Sequence, residues 1–201
     1  LILHIMDDAT RWKLLYLLPN RTYVAFQEGI GEWCKIFGPP EVFCSDQETG
    51  LQTEEMAVWL ESMSCKMEAL PTASGGSTGA HTAAGPIEAN NRVVRKALHR
   101  LETSYIENGI QYSAKHLLNE GMWCCNMTPQ HAGISASQCA LGHTPRDPLS
   151  VNQPTATQTS DHRQLFLLRM RCRVCCMAAV QEAIVCERIN RVANAKETVG
   201  A

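Results

Sequence analysis

Two short apolar runs, Leu1–Met6 and Lys13–Leu18, flank the polar connection Asp7-Asp8-Ala9-Thr10-Arg11, a pattern that predicts a β-hairpin with at least one buried strand. Pro19-Asn20 ends the second run. Tyr23, Phe26, Ile30, Trp33 and Phe37 then recur at alternating steps of three and four, which predicts an amphipathic helix stopped by Gly38-Pro39-Pro40. Glu41–Cys44 reads as a short strand. Thr53, followed by Glu54-Glu55, opens a second helix with Met56, Leu60 and Met63 on one face and acids near its positive end. Cys65–Leu70 returns as a strand. Strand, strand, helix, strand, helix, strand is the signature of a mixed α/β layer structure.

Residues Pro71–Gly85 break the pattern. They are rich in Gly and Ser, carry His81 near their end, and predict a long loop of the kind that serves function or motion. Pro86 suits the first turn of a helix running to about Asn108. Ile87, Asn91, Val94, Leu98, Leu101 and Tyr105 form its inward stripe, and Glu88, Arg92, Arg95 and His99 lie on another face. Lys115–Met127 predicts a further helix. Pro145–Ser160 has the composition of a linker, and His162–Lys196 reads as a terminal helix. Trp59 and Trp123 sit in helical apolar patterns and are expected in the core.

The hydrophobic share of 45% is too high for a disordered chain, and 201 residues suffice for one ordinary domain with an appendage. A net charge of −2 excludes a uniformly basic nucleic-acid binder. The charge is uneven, however. Residues 1–60 hold nine acids and four bases, whereas residues 161–196 hold seven bases and three acids. No apolar run approaches the ~18 residues of a membrane span. The N-terminal run is too short for a secretion signal and has no initiator Met, so the chain is expected to be a piece of a longer one.

Ten cysteines show no regular framework, and several sit inside apolar runs, which favours reduced, buried thiols in an intracellular protein. A zinc site at Cys172, Cys175 and Cys176 with His162 is the sharper alternative. One C-x-x-C without a second pair at ligand spacing is a weak signature for it.

Three segments, in order, carry a resemblance. Asp7-Asp8-Ala9-Thr10-Arg11-Trp12 closes the first run. Gly38-Pro39-Pro40-Glu41-Val42-Phe43-Cys44-Ser45-Asp46 delivers an Asp at the end of a strand. Gly85-Pro86-Ile87-Glu88-Ala89-Asn90-Asn91-Arg92 places a Glu at the start of a basic helix. Together with Asn126-Met127-Thr128-Pro129 and the stretch from Gly133 to Leu149, they resemble the catalytic core of retroviral and retrotransposon integrases over about residues 1–150. Gln47-Glu48-Thr49 and Ala89 depart from that pattern.

The resemblance implies a ribonuclease-H-like fold, a mixed sheet flanked by helices. Residues 1–150 would be the partial core, 151–160 a linker and 161–201 a basic helical segment. It implies DNA integration by a polynucleotidyl transferase from a retrotransposon polyprotein, with element ends and target DNA as partners. A homo-oligomeric parent acting in the nucleus is also implied. Asp46 and Glu88 match two of the three carboxylates that hold Mg²⁺ or Mn²⁺, with 41 residues between them. Carboxylates on separate rigid elements suit such a pair of hard cations. Asp7 and Asp8 match a non-catalytic position, so the first strand and its Asp are expected upstream of residue 1. Residues 1–201 alone are therefore expected to transfer no strands. Arg92, Arg95 and Lys96, with Arg100 beyond them, are candidate phosphate contacts; His81 is a weaker candidate near the metals. The alternative is a degenerate or domesticated core that binds nucleic acid or protein partners without catalysis.

Overall fold

The computed structural model describes residues 1–45, 48–69, 80–131, 133–143 and 160–199. The strands are β1 (Ile2–Met6), β2 (Lys13–Leu17), β3 (Val42–Ser45), β4 (Lys66–Ala69), β5 (Pro129–His131) and β6 (Ile134–Ser135). The helices are α1 (Tyr23–Phe37), α2 (Glu54–Ser62), α3 (Ala80–Glu107), α4 (Ala114–Met127), α5 (Ala136–Leu141) and α6 (Ser160–Val199). The chain forms two compact units, one of residues 1–5 and 14–88, the other of residues 6–13 and 89–201. No described helix is long and apolar enough to cross a membrane.

In the first unit, α1 and α2 bury one stripe each. Phe26, Ile30, Met56 and Leu60 pack with Leu3, Leu18 and Leu51, and Ile5, Tyr16, Phe43 and Met67 border the same core from the strands. Gly29 has a steric purpose, because a Cβ there would lie 2.7 Å from Leu3 Cδ2 and 3.0 Å from the Tyr16 ring. Thr53 caps α2 by accepting from the Met56 N–H, as the Thr-Glu-Glu start predicts. Gly38, at φ +79°, stops α1. β3 and β4 run parallel, with Val42 opposite Lys66 and Ser45 opposite Ala69.

In the second unit α3, α4 and α6 share a core that includes Val94, Leu101, Leu118, Cys124, Cys176 and Val180. Gly121 lets α4 approach α3, since a Cβ there would meet Leu98 Cδ2 at 2.5 Å. The thiols of Cys172 and Cys176 lie against the carbonyls of Ser104 and Ala97, at 3.7 and 3.4 Å. Ser135 and Gln138 form a reciprocal cap at the start of α5.

Two expectations need correction. The helix expected to open at Pro86 begins at Ala80, so Pro86 is its seventh residue. Alanines at 80, 83 and 84 favour helix strongly enough to extend it backward, although Pro86 has no N–H to offer the carbonyl four residues earlier. The single mixed sheet is the second. The described strands pair in three separate two-stranded sheets, β1–β2, β3–β4 and β5–β6. A hairpin and a parallel pair merge only through a strand bonded along both edges, and none of the described strands is so bonded.

Candidate functional site

α3 carries the candidate chemistry because its sequence is amphipathic through its described length. Ala89, Val93, Val94, Ala97, Leu101 and Tyr105 are buried, which leaves Glu88, Arg92, Arg95, Lys96, His99 and Arg100 exposed as the periodicity predicts. Asp46, the other expected metal ligand, lies outside the described residues, as does the side chain of His81. Among the described residues no three His, Cys, Asp or Glu side chains cluster to hold a metal ion.

Arg92 differs from its basic neighbours. Its Nε donates to Glu187 Oε1 at 2.7 Å and its Nη2 to Glu187 Oε2 at 2.9 Å, a bidentate pair joining α3 to α6. Arg95 and Lys96 are exposed. An incoming phosphate would meet those two directly but would compete with Glu187 for Arg92.

Asp7 is occupied by local structure. Its Oδ2 accepts from both the Thr10 N–H and the Thr10 hydroxyl at 2.7 Å, closing the hairpin turn, while Arg11 takes φ +62° and pairs with Asp8. Both aspartates therefore serve the turn.

Two buried polar arrangements escaped the sequence reading. Lys13 is fully buried, with Nζ donating to the Arg11 carbonyl at 3.0 Å. Burial pulls its pKa down, the neighbouring Cys125 pushes it up and Arg11 lowers it further. The Asn126 side chain serves the main chain of the same residue, accepting from the Lys13 N–H at 2.9 Å and donating to the Lys13 carbonyl at 2.8 Å. On the α4–α6 contact, Glu120 holds Arg173 through two hydrogen bonds, to Nε and, at 2.7 Å, to Nη2; the same guanidinium lies 5.3 Å from the centre of the Trp123 ring. Glu120 raises the Arg173 pKa, and Trp123, expected in the core, is half-buried under that cation. The sequence signal for Asn126 was an Asn in an otherwise apolar helix stripe.

All ten cysteines are thiols, with Cys65, Cys124, Cys125, Cys172 and Cys176 buried. Burial pushes the Cys125 pKa up to about 12. Of the expected zinc ligands, Cys172 and Cys176 are buried and Cys175 is half-buried, and the side chain of His162 lies outside the described residues. An open groove of about 580 Å³ lies between α1 and α2, lined by Tyr23, Glu54, Glu55, Val58 and Trp59 among others, and none of the expected site residues borders it.

No protein-family model matches the chain, and no curated protein matches it by sequence. Solved structures do match. One is the simian T-cell lymphotropic virus intasome in complex with the PP2A regulatory subunit B56 gamma, at TM-score 0.57 and 16% identity over 79% of this chain. This chain spans 58% of the length of that intasome chain. Another is the HTLV-2 integrase catalytic core domain in complex with magnesium, in its dimeric form, at TM-score 0.53 and 13% identity, covering 68% of this chain and 90% of the core. The chain thus has the α/β fold seen in retroviral integrase catalytic cores.

Proposed function

We propose that this chain is the greater part of a ribonuclease-H-like integrase core, from a retrotransposon-type polyprotein, that acts in DNA integration. The observation that carries this reading is the fold likeness to an integrase core over 90% of that core's length. It is supported by the order of the sequence motifs, with Asp46 one residue past β3 and Glu88 exposed on α3. Carboxylate oxygens are the hard donors that Mg²⁺ and Mn²⁺ take. Asp46 and Glu88 are the ligands this chain would offer. The bound cations would supply Lewis-acid chemistry at a DNA phosphate. Arg95 and Lys96 would hold the nucleic-acid backbone, with no preference among sequences.

The test is metal and DNA binding by the 201-residue chain. Glu88→Gln and Asp46→Asn should each weaken Mn²⁺ binding in calorimetry while leaving the fold intact. Arg95→Ala with Lys96→Ala should reduce the slope of log K against log salt for duplex DNA by roughly two. Metal affinity indifferent to both carboxylates removes the catalytic reading. The second reading, binding without catalysis, is favoured by the departure of Gln47-Glu48-Thr49 and Ala89 from the pattern of the catalytic core. It predicts the salt slope without the metal dependence.

A further inference from the structure

The contacts between α4 and α6 come in layers. Glu120 of α4 holds the Arg173 guanidinium, and one turn on, the Cys124 thiol lies 3.9 Å from the Arg173 carbonyl and is hydrogen-bonded to Cys176. Residue 120 thus faces 173 and residue 124 faces 176, so the two helices run in the same direction along their contact. One turn back, the same register sets His116 of α4 beside Arg169 of α6. Both act on Tyr105 of α3. The His116 ring stacks on the Tyr105 ring, with Nε2 3.4 Å from the tyrosine hydroxyl, and Arg169 interacts with that hydroxyl electrostatically.

The layer of His116 and Arg169 carries a cation without a counter-ion. Its neighbour is neutral, since Glu120 takes Arg173 with both oxygens. Arg169, by contrast, is half-buried, and its Nε is shut off from solvent with no hydrogen-bond acceptor. A buried donor in that state is costly, and native proteins give nearly all such groups a partner. Tyr105 supplies no counter-charge, because burial above all raises its pKa and keeps it neutral. Glu107, the last residue of α3, is exposed, and among the described residues no ion pair joins it to Arg169.

We infer that Arg169 and His116 form a site for a phosphate group, reached from the surface where α4 meets α6. Charge and geometry select that ligand. The guanidinium offers a planar fork of donors that matches two oxygens of a phosphate. With the Tyr105 hydroxyl donating to Nε2, the imidazole keeps its proton on Nδ1 and can donate from a second helix. A tetrahedral oxyanion meets donors from two helices at once, which a flat carboxylate does less well. Lys115, exposed in the same turn of α4 as His116, adds a further positive charge. The site uses neither Asp46 nor Glu88, so it stands whether or not the chain acts in DNA integration.

Calorimetry on the 201-residue chain tests this with inorganic phosphate, against chloride and acetate at matched ionic strength. Phosphate should bind with a dissociation constant in the millimolar range or below, and acetate about tenfold more weakly. Arg169→Gln should weaken phosphate binding about tenfold, and His116→Ala severalfold. Arg171→Gln, at an exposed arginine of the same helix, should leave it unaltered. Without phosphate, Arg169→Gln should unfold no earlier than the wild type, because it removes a donor that has no acceptor. With phosphate, only the wild type should unfold later. Duplex DNA that displaces bound phosphate assigns the site to a nucleic-acid backbone, and DNA that leaves it bound assigns the site to free phosphate or a small phosphorylated molecule. Absence of phosphate binding up to tens of millimolar overturns the inference. So does binding that Arg169→Gln leaves unchanged, acetate that binds as tightly as phosphate, or an Arg169→Gln chain that unfolds early without phosphate.

Discussion

Glu187 on α6 grips Arg92 on α3 with both carboxylate oxygens, across 95 residues of sequence. The arginine is 59% exposed while the glutamate is only 16% exposed. The pair therefore sits at the edge of the α3–α6 contact and spends on protein the one guanidinium closest to Glu88 along α3. Glu187→Gln should release it. If α3 binds DNA, the variant should bind more tightly and its salt slope should steepen by about 0.9, one additional phosphate contact. Stability should fall by less than about 1 kcal/mol, since the arginine is largely solvated. An unchanged slope would show that Arg92 faces no phosphate.

Asn126→Ala should be among the most destabilising single changes in the second unit. It strands both the N–H and the C=O of Lys13 in a buried position, and each orphaned group costs about 1–3 kcal/mol. Chemical denaturation should show a loss of roughly 2–5 kcal/mol. A loss below about 1 kcal/mol would mean that water replaces the amide.

Lys13 makes stability depend on pH in a defined direction. Its folded pKa lies below the ordinary 10.5, so between the two values the unfolded chain holds a proton that the folded chain has shed. Stability from this group is then lost as pH falls through the folded pKa and is gained as pH rises toward 10.5. The Cys125 and Cys172 thiols act in the opposite sense, because their raised pKa values keep protons on the folded chain at high pH. The comparison that isolates Lys13 is with Lys13→Met. Relative to that variant, the wild type should gain stability as pH rises toward 10.5. A difference that does not vary with pH would mean that Lys13 titrates as it does in water.

Thiol labelling should divide the cysteines by burial. Cys44, Cys139 and Cys186 are exposed and should react with an aromatic disulfide reagent in a fast phase of three equivalents. The five buried thiols should react only on unfolding, because burial blocks access to the reagent. Fast reaction of Cys124 or Cys176 would show that the α4–α6 contact opens readily.

What the sequence alone determined was local. The period of three and four from Tyr23 to Phe37, closed by Gly38, marked α1 from end to end, and Thr53 with its acids marked the start of α2. Helix periodicity and capping act within a turn or two, so they are visible without any fold. The exposure of Glu88, Arg95 and Lys96 followed from the amphipathic pattern of α3 in the same way. Tertiary structure decided whatever depended on partners distant in sequence. Nothing near Arg92 in the chain pointed to Glu187, and nothing near Lys13 pointed to Asn126. The sequence of α6 shows apolar residues on both sides, and only packing against α3 and α4 decides that Cys176 and Val180 are covered while Val174 and Val185 face solvent. Burial is a property of which surfaces meet, and a helix with two apolar stripes leaves that choice to the rest of the fold.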